Sequence, residues 1–382
     1  MKSYVYADKF FFKDSVMGPG YLEITEGKFG QFQEAPPNDY FQIKDYKDKW
    51  IAPGLVDTHI HGLLNRDVMD NDFEGIKEIS EGLLSCGVTS FLPTTLTASA
   101  DLLNKVLETI ANHYQEVQGA KIQGIYLEGP FFTEKHKGAQ NPSYFSDPDV
   151  QQFQKWQELS RGMIKKIAIA PEREGAAAFT RKVTEQGVVV ALGHSDANYD
   201  QAKQVVESGA TVFVHTYNGM SPLNSREPGM VGAAMGLNNV FAELICDGHH
   251  VHPISAKILM DACGRDQVVM ITDCMRAGAM PEGNYTLGEF PVSVKNGMAT
   301  IESGSLAGSI LKLNDALKNV VDWGIATPEE AIKMSTLAPA MSCHIDDVCG
   351  YIAPSRAADF IVLNKNMELE ATYLNGECRY HI

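Results

Sequence analysis

The run Gly54-Leu55-Val56-Asp57-Thr58-His59-Ile60-His61 is apolar, short and closed by two histidines, and its reading decides the fold. A strand repeats every two residues, so His59 and His61 project from the same face and suit two imidazoles on one cation. Seven further runs of the same texture follow: GVTSFLPT (87–94), KIQGIYLEG (121–129), KKIAIAPE (165–172), GVVVALGH (187–194), ATVFVHTY (210–217), VFAELICD (240–247) and VVMITD (268–273). Most are separated by segments of helical period, such as FEGIKEISEGLL, SADLLNKVLETIANHY, DVQQFQKWQELS, AAFTRKVTEQ, YDQAKQVVES and PISAKILMDAC. Strands alternating with helices imply parallel strands joined by right-handed crossovers. Eight such units close into a (β/α)8 barrel. An open doubly wound sheet would carry a glycine-rich phosphate loop after its first strand, and neither G-x-G-x-x-G nor G-x-x-x-x-G-K occurs there.

Outward from the barrel, residues 1 to about 50 are aromatic and β-branched runs (SYVYA, YLEIT, FGQFQ) broken by glycine and proline, read as a small antiparallel sheet. ADFIVL (358–363) and LEATYLNGE (369–377) repeat this texture, so the termini are expected to pair. The expected organisation is a small β-sandwich domain from residues 1–52 and 350–382 around a barrel of residues 53–349. After the eighth strand an inserted hairpin is expected within 283–302, then helices near 309–323 and 328–336.

The 382 residues fit one barrel with a small satellite, and 44% hydrophobic residues supply a sizeable core. A net charge of -16 argues against nucleic acid as a partner, since phosphates call for a basic stripe. No apolar stretch approaches the roughly 18 to 20 residues that span a bilayer, and the first residues lack a secretory pattern, so a cytoplasmic protein is expected. Seven scattered cysteines with no C-x-x-C pair are read as reduced packing residues, Cys274 included.

Barrel enzymes draw their chemistry from the carboxyl ends of their strands. Strand one ends in His59 and His61, strand three in Glu128, strand five in His194, strand six in His215, strand seven in Asp247 with His249 and His250 beyond, and strand eight in Asp273. Glu128, His194 and His215 offer three N and O ligands with room for a fourth, the pattern of a catalytic metal site. Asp273 is placed to take a proton from water and return it to a leaving group. Lys165 and Lys166 stand at the beginning of strand four, so Glu128 rather than a lysine is the candidate to bridge two ions. His113, His136, His344 and His381 are read as hydrogen-bonded structural residues. N and O ligands do not distinguish zinc, iron, manganese or cobalt.

The segments PGLVDTHIHG, YLEGPF, LGHSDA, HTYNGMSPLNSREPG, ICDGHHVHP, ITDCMRAG and SLAGSIL, with GYIAPSRAADFIVL near the C-terminus, resemble the N-acetylglucosamine-6-phosphate deacetylase family of the amidohydrolase superfamily over nearly the whole chain. The resemblance implies hydrolysis of the N-acetyl group of a phosphorylated amino sugar. A divalent metal would sit on Glu128, His194 and His215, with a second ion plausible because His59 and His61 are both present. It places the sugar phosphate near Asn218, Gly219, Arg226 and His250, with Ala139, Gln140 and the Leu306-Ala307-Gly308 loop lining the sugar pocket. It also implies a homodimer in which Arg226 reaches across from the partner subunit; a guanidinium fork suits a phosphate. Gln140 stands where some members of the family carry a histidine, and an amide cannot transfer a proton. The competing readings are another amidohydrolase acting on a cyclic amide or nucleobase, and a barrel scaffold without catalysis.

Overall fold

The computed structural model describes residues 2–38 and 41–382. All eight expected strands form. They are β1 (Leu55–Ile60), β2 (Val88–Thr95), β3 (Ile125–Phe131), β4 (Ile164–Ile169), β5 (Val189–Leu192), β6 (Val212–Phe213), β7 (Phe241–Ile245) and β8 (Val268–Ile271). They pair in parallel in chain order, from β1 beside β2 through to β7 beside β8. The ends meet through Asp273 N to His59 O at 2.9 Å and His61 N to Cys274 O at 2.8 Å, which close the barrel at its carboxyl rim. β2 is buried along its whole length, as a strand covered on both faces must be.

One helix follows each strand: α1 (Phe73–Leu83), α2 (Ala100–His113), α3 (Val150–Leu159), α4 (Ala176–Thr184), α5 (Tyr199–Val206), α6 (Gly229–Gly236), α7 (Pro253–Cys263) and α8 (Leu313–Asp322). The local code is plain in α1, where the Asp72 side chain caps the Glu74 amide and Ile76, Ile79 and Leu83 form the buried stripe. α6 has no such stripe. GMVGAAMG is small and apolar all round and six of its eight residues are buried, so no amphipathic period announces it. Two further helices, Pro328–Ser335 and Leu337–Ser342, complete the C-terminal part.

The termini do pair, in one eight-stranded sheet ordered Glu377–His381, Leu369–Leu374, Phe360–Leu363, Gln42–Pro53, Lys2–Phe11, Gly20–Thr25, Lys28–Gln33, with Val16–Met17 added beside Lys2–Phe11. The sheet curls back on itself: Phe29 N bonds Arg356 O and Ala358 N bonds Gly27 O, enclosing Val5, Phe10, Leu22, Phe29, Phe360 and Tyr373 in their own core. The expectation of a purely antiparallel sheet is corrected, because Lys2–Phe11 runs parallel to Gln42–Pro53. A parallel neighbour needs a long connection, and Gly20–Gln33 supplies it as a strand pair on the far edge. The insertion after β8 is a three-stranded meander, Gly283–Leu287, Phe290–Lys295 and Met298–Thr300, rather than a simple hairpin. Among the described residues no helix is long and apolar enough to cross a membrane.

Candidate active site

The carboxyl rim brings six of the expected residues to one point, and Glu128, at the end region of β3, is its centre. Glu128 Oε1 lies 3.4 Å from His59 Nε2, 3.2 Å from His194 Nε2 and 3.4 Å from His215 Nε2, while Oε2 lies 3.3 Å from His61 Nε2. Asp273 Oδ1 closes the group at 3.1 Å from His61 Nε2 and 3.4 Å from His59 Nε2. All six are buried, Asp273 the most open at 8% exposure.

Each imidazole is held by its other nitrogen. His61 Nδ1 is 3.2 Å from Thr94 O, His194 Nδ1 is 3.0 Å from His136 O, and His215 Nδ1 is 3.0 Å from Asn218 O. His59 Nδ1 faces a carboxylate oxygen, Glu243 Oε2, at 3.1 Å. With each Nδ1 engaged outward, the four Nε2 atoms face Glu128 and are the nitrogens that a cation would take once they are deprotonated. Two overlapping ligand sets result, His59/His61/Glu128 and Glu128/His194/His215, each with its ligand atoms within 4.8 Å of one another. The donor chemistry fits a divalent cation. His59 Nε2 is fully buried without a hydrogen-bond partner, which a cation would satisfy.

Electrostatics point the same way. Burial alone would keep His59 and His61 neutral, yet the facing Asp273 and Glu128 outweigh it and raise His59 to about 9 and His61 well above its ordinary value. Burial opposes ionisation of Glu128 and Asp273 too, and the facing histidines overcome it, holding both carboxyls below the usual range. The carboxylates create a demand for positive charge that protons meet here and a bound cation would meet in their place.

Backbone strain marks the same residues. His194, His215 and Asp273 are non-glycine residues with φ of 45°, 29° and 49°. Left-handed backbone costs about 1–2 kcal/mol per residue, and it turns the chain sharply where the strand ends. Gly219, with φ of 60°, completes the turn after His215; a Cβ there would meet His194 Nδ1 at 3.0 Å.

The cluster opens into a cavity of about 320 Å³ lined by Ala139, Gln140, Asn218, Gly219, His250 and Leu306, all expected from the sequence. The cavity also draws on Leu96, Lys135, Leu287 and Ser305, which sequence reasoning missed, and on His136, which it had read as structural. Gln140 donates from Nε2 to Glu128 Oε2 at 2.7 Å and accepts the Thr97 amide at 2.9 Å, so both ends of its amide are engaged. His250 is fixed by Asp247, whose Oδ2 is 2.7 Å from Nδ1. The Leu306 loop is pinned by Ser309 N to Asp273 O at 2.7 Å and Ala307 N to Ala299 O at 3.0 Å. Arg226 stands apart: it is exposed, does not line the cavity, and makes no ion pair among the described residues. Glu227 is occupied instead with the Tyr199 and Gly229 amides. Cys274 is buried and burial raises its thiol pKa, in keeping with packing.

A closed barrel with clustered imidazoles and carboxylates at its carboxyl mouth defines a hydrolase of the metal-assisted kind. The amidohydrolase family model matches residues 50–379, and the chain belongs to that family. It is 39% identical over 327 residues to the N-acetylglucosamine-6-phosphate deacetylase of Vibrio furnissii, covering 85% of this chain and 82% of that one. It is 36% identical over 357 residues to the N-acetylgalactosamine-6-phosphate deacetylase of Escherichia coli O157:H7, covering 93% of each. Among solved structures, a mutant N-acetyl-D-glucosamine-6-phosphate deacetylase from Mycobacterium smegmatis in complex with N-acetyl-D-glucosamine-6-phosphate superposes with a TM-score of 0.94 at 27% identity, covering 99% of both chains.

Proposed function

We propose that this chain hydrolyses the N-acetyl group of N-acetyl-D-glucosamine 6-phosphate, giving D-glucosamine 6-phosphate and acetate. The observation that carries the reading is the convergence of Glu128, four imidazole nitrogens and Asp273 on a cavity that also presents His250, Asn218 and Gly219. Glu128, His194 and His215 would hold one divalent cation, and His59 and His61 would hold a second with Glu128 shared. Such a cation polarises an amide carbonyl and makes water acidic enough to attack near neutral pH. Asp273, kept ionised by the facing histidines, accepts the proton of the attacking water and returns it to the departing amine nitrogen. Gln140 holds Glu128 and cannot shuttle protons, which leaves that work to Asp273.

His250 and the Asn218–Gly219 backbone bind the phosphate, with Ala139, Gln140 and Leu306 against the sugar. Arg226 is too exposed to serve its own cavity, which supports its supply to a partner subunit in a homodimer; exposed Leu223, Ile254 and Ile258 are apolar surface for the same contact. A cytoplasmic location belongs to this reading and is supported by seven cysteines, all free.

The test is acetate release from N-acetylglucosamine 6-phosphate, N-acetylgalactosamine 6-phosphate and unphosphorylated N-acetylglucosamine by metal-loaded protein. Release from the first at the highest kcat/KM and none from the last supports the reading. The relative named for the galactosamine substrate makes a preference for the second the alternative outcome. No release from any of the three overturns both.

A further inference from the structure

Below the centre, in the barrel interior, lies a charged pair that the ligand set does not include. Lys166, from β4, and Glu243, from β7, are both completely buried. The interior layers of such barrels are filled by branched apolar side chains, so two charges there are a departure from what packing alone would select. Every polar contact of the pair leads to β1 or to the end of β6. Glu243 Oε1 takes the Lys166 ammonium, and Oε2 lies 3.1 Å from His59 Nδ1 and 3.4 Å from the His215 amide. Lys166 Nζ also donates to Thr58 O at 3.0 Å and lies 3.8 Å over the Tyr126 ring, against which His59 packs edge-on at 4.9 Å.

The asymmetry among the four imidazoles gives this pair its meaning. Three are backed by backbone carbonyls and only His59 by a carboxylate. A carboxylate behind a ligand imidazole fixes its tautomer and makes its far nitrogen a stronger donor than a carbonyl can. That far nitrogen, His59 Nε2, is buried and has no hydrogen-bond partner within range, with Glu128 Oε1 and Asp273 Oδ1 each 3.4 Å away. We propose that Lys166 and Glu243 are positioning residues that hold His59 as a metal ligand, and that through it they set the ion count of the centre. With the pair intact His59/His61/Glu128 takes a second cation; without it the centre falls back to Glu128/His194/His215.

The proposal rests on the metal-dependent reading above, so its test reads metal directly. Wild type, the near-isosteric Glu243→Gln and the apolar double variant Lys166→Met/Glu243→Leu would be equilibrated with Zn2+, and bound zinc per chain titrated against a chelator. Parallel samples with Mn2+ would be examined by electron paramagnetic resonance for the exchange-coupled signal of a bridged pair. Wild type is expected to bind two ions with the coupled signal. Glu243→Gln is expected to keep the first and bind the second about 10- to 100-fold more weakly, with kcat falling more than KM. The double variant, which removes the buried charges together, is expected to fold and still lack the second ion and the coupled signal. Two ions bound with wild-type affinity by either variant would overturn the proposal. So would one ion in wild type, and acetate release by that one-ion enzyme would leave the deacetylase reading standing.

Discussion

The two halves of the centre share Glu128 but are built by different means. His59 sits within β1, which is fully buried along its length, and His61 follows directly after its last residue, Ile60. His194 and His215 sit just past the ends of β5 and β6, on left-handed backbone, and close onto the cavity. In the first half His59 is held by a strand, by Glu243 of the interior charge pair and by the Tyr126 ring, and His61 by the Thr94 carbonyl. The second is held by two carbonyl acceptors and a glycine that must stay bare. The difference separates a ligand fixed from beneath by the barrel, His59, from ligands fixed at the rim by loop geometry, His194 and His215.

The largest expected effects come from loss of the proton carrier between the halves and loss of a rim ligand. Asp273→Asn should lower kcat by about 10²- to 10⁴-fold with metal content unchanged, measured by acetate release and metal analysis of one preparation; loss of metal would instead make Asp273 chiefly a ligand. The halves themselves are separated by His194→Ala and His61→Ala. The former should empty the rim site and abolish turnover, whereas the latter should cost about 10- to 100-fold in activity and remove one ion. Equal losses of activity in the two variants would erase the distinction. Arg226→Ala should raise KM for the phosphorylated substrate by about 10- to 100-fold, the worth of a charge-assisted contact of about 1.5–3 kcal/mol, with kcat little changed.

A pH series sharpens the buried half. In metal-free protein His59 is raised from 6.5 to about 9, so its protonated form stabilises the fold fully below pH 6.5 and that contribution is lost as pH rises through about 9. A cation displaces the protons of both His59 and His61, so affinity on that side should climb with pH, about tenfold per pH unit for each proton released. Melting temperatures of chelated and metal-loaded protein across that range should diverge, the loaded form escaping the alkaline decline. The smallest effect is at the rim: Gly219→Ala should lower stability by about 1–2 kcal/mol and loosen His194, read as a lowered Tm with weaker metal binding.

Much of this was legible from residues alone, for reasons that differ by element. The eight strands are short apolar runs, most of them bounded by glycine or proline, and α1 and α2 carry caps and apolar stripes. His59, His61, Glu128, His194, His215 and Asp273 could be found because each ends or closes such a run. α6 could not, since a helix buried on all sides has no period to show. The parallel pairing of Lys2–Phe11 with Gln42–Pro53 depends on a partner 40 residues away, which local texture does not encode. Glu243 left a signal that went unread, a lone charge inside VFAELICD, but its partner lies on another strand and only the closed barrel joins them. Leu287 and Ser305 reach the cavity by way of the meander and the loop behind it, whose placement follows from tertiary contacts.

The most direct test is reconstitution. Protein stripped by a chelator would be titrated with Zn2+ while acetate release from N-acetylglucosamine 6-phosphate is followed. The account predicts no release from stripped protein, a rise as metal is added, and a plateau at two ions per chain. Full activity in the stripped protein, or none after loading, would contradict it.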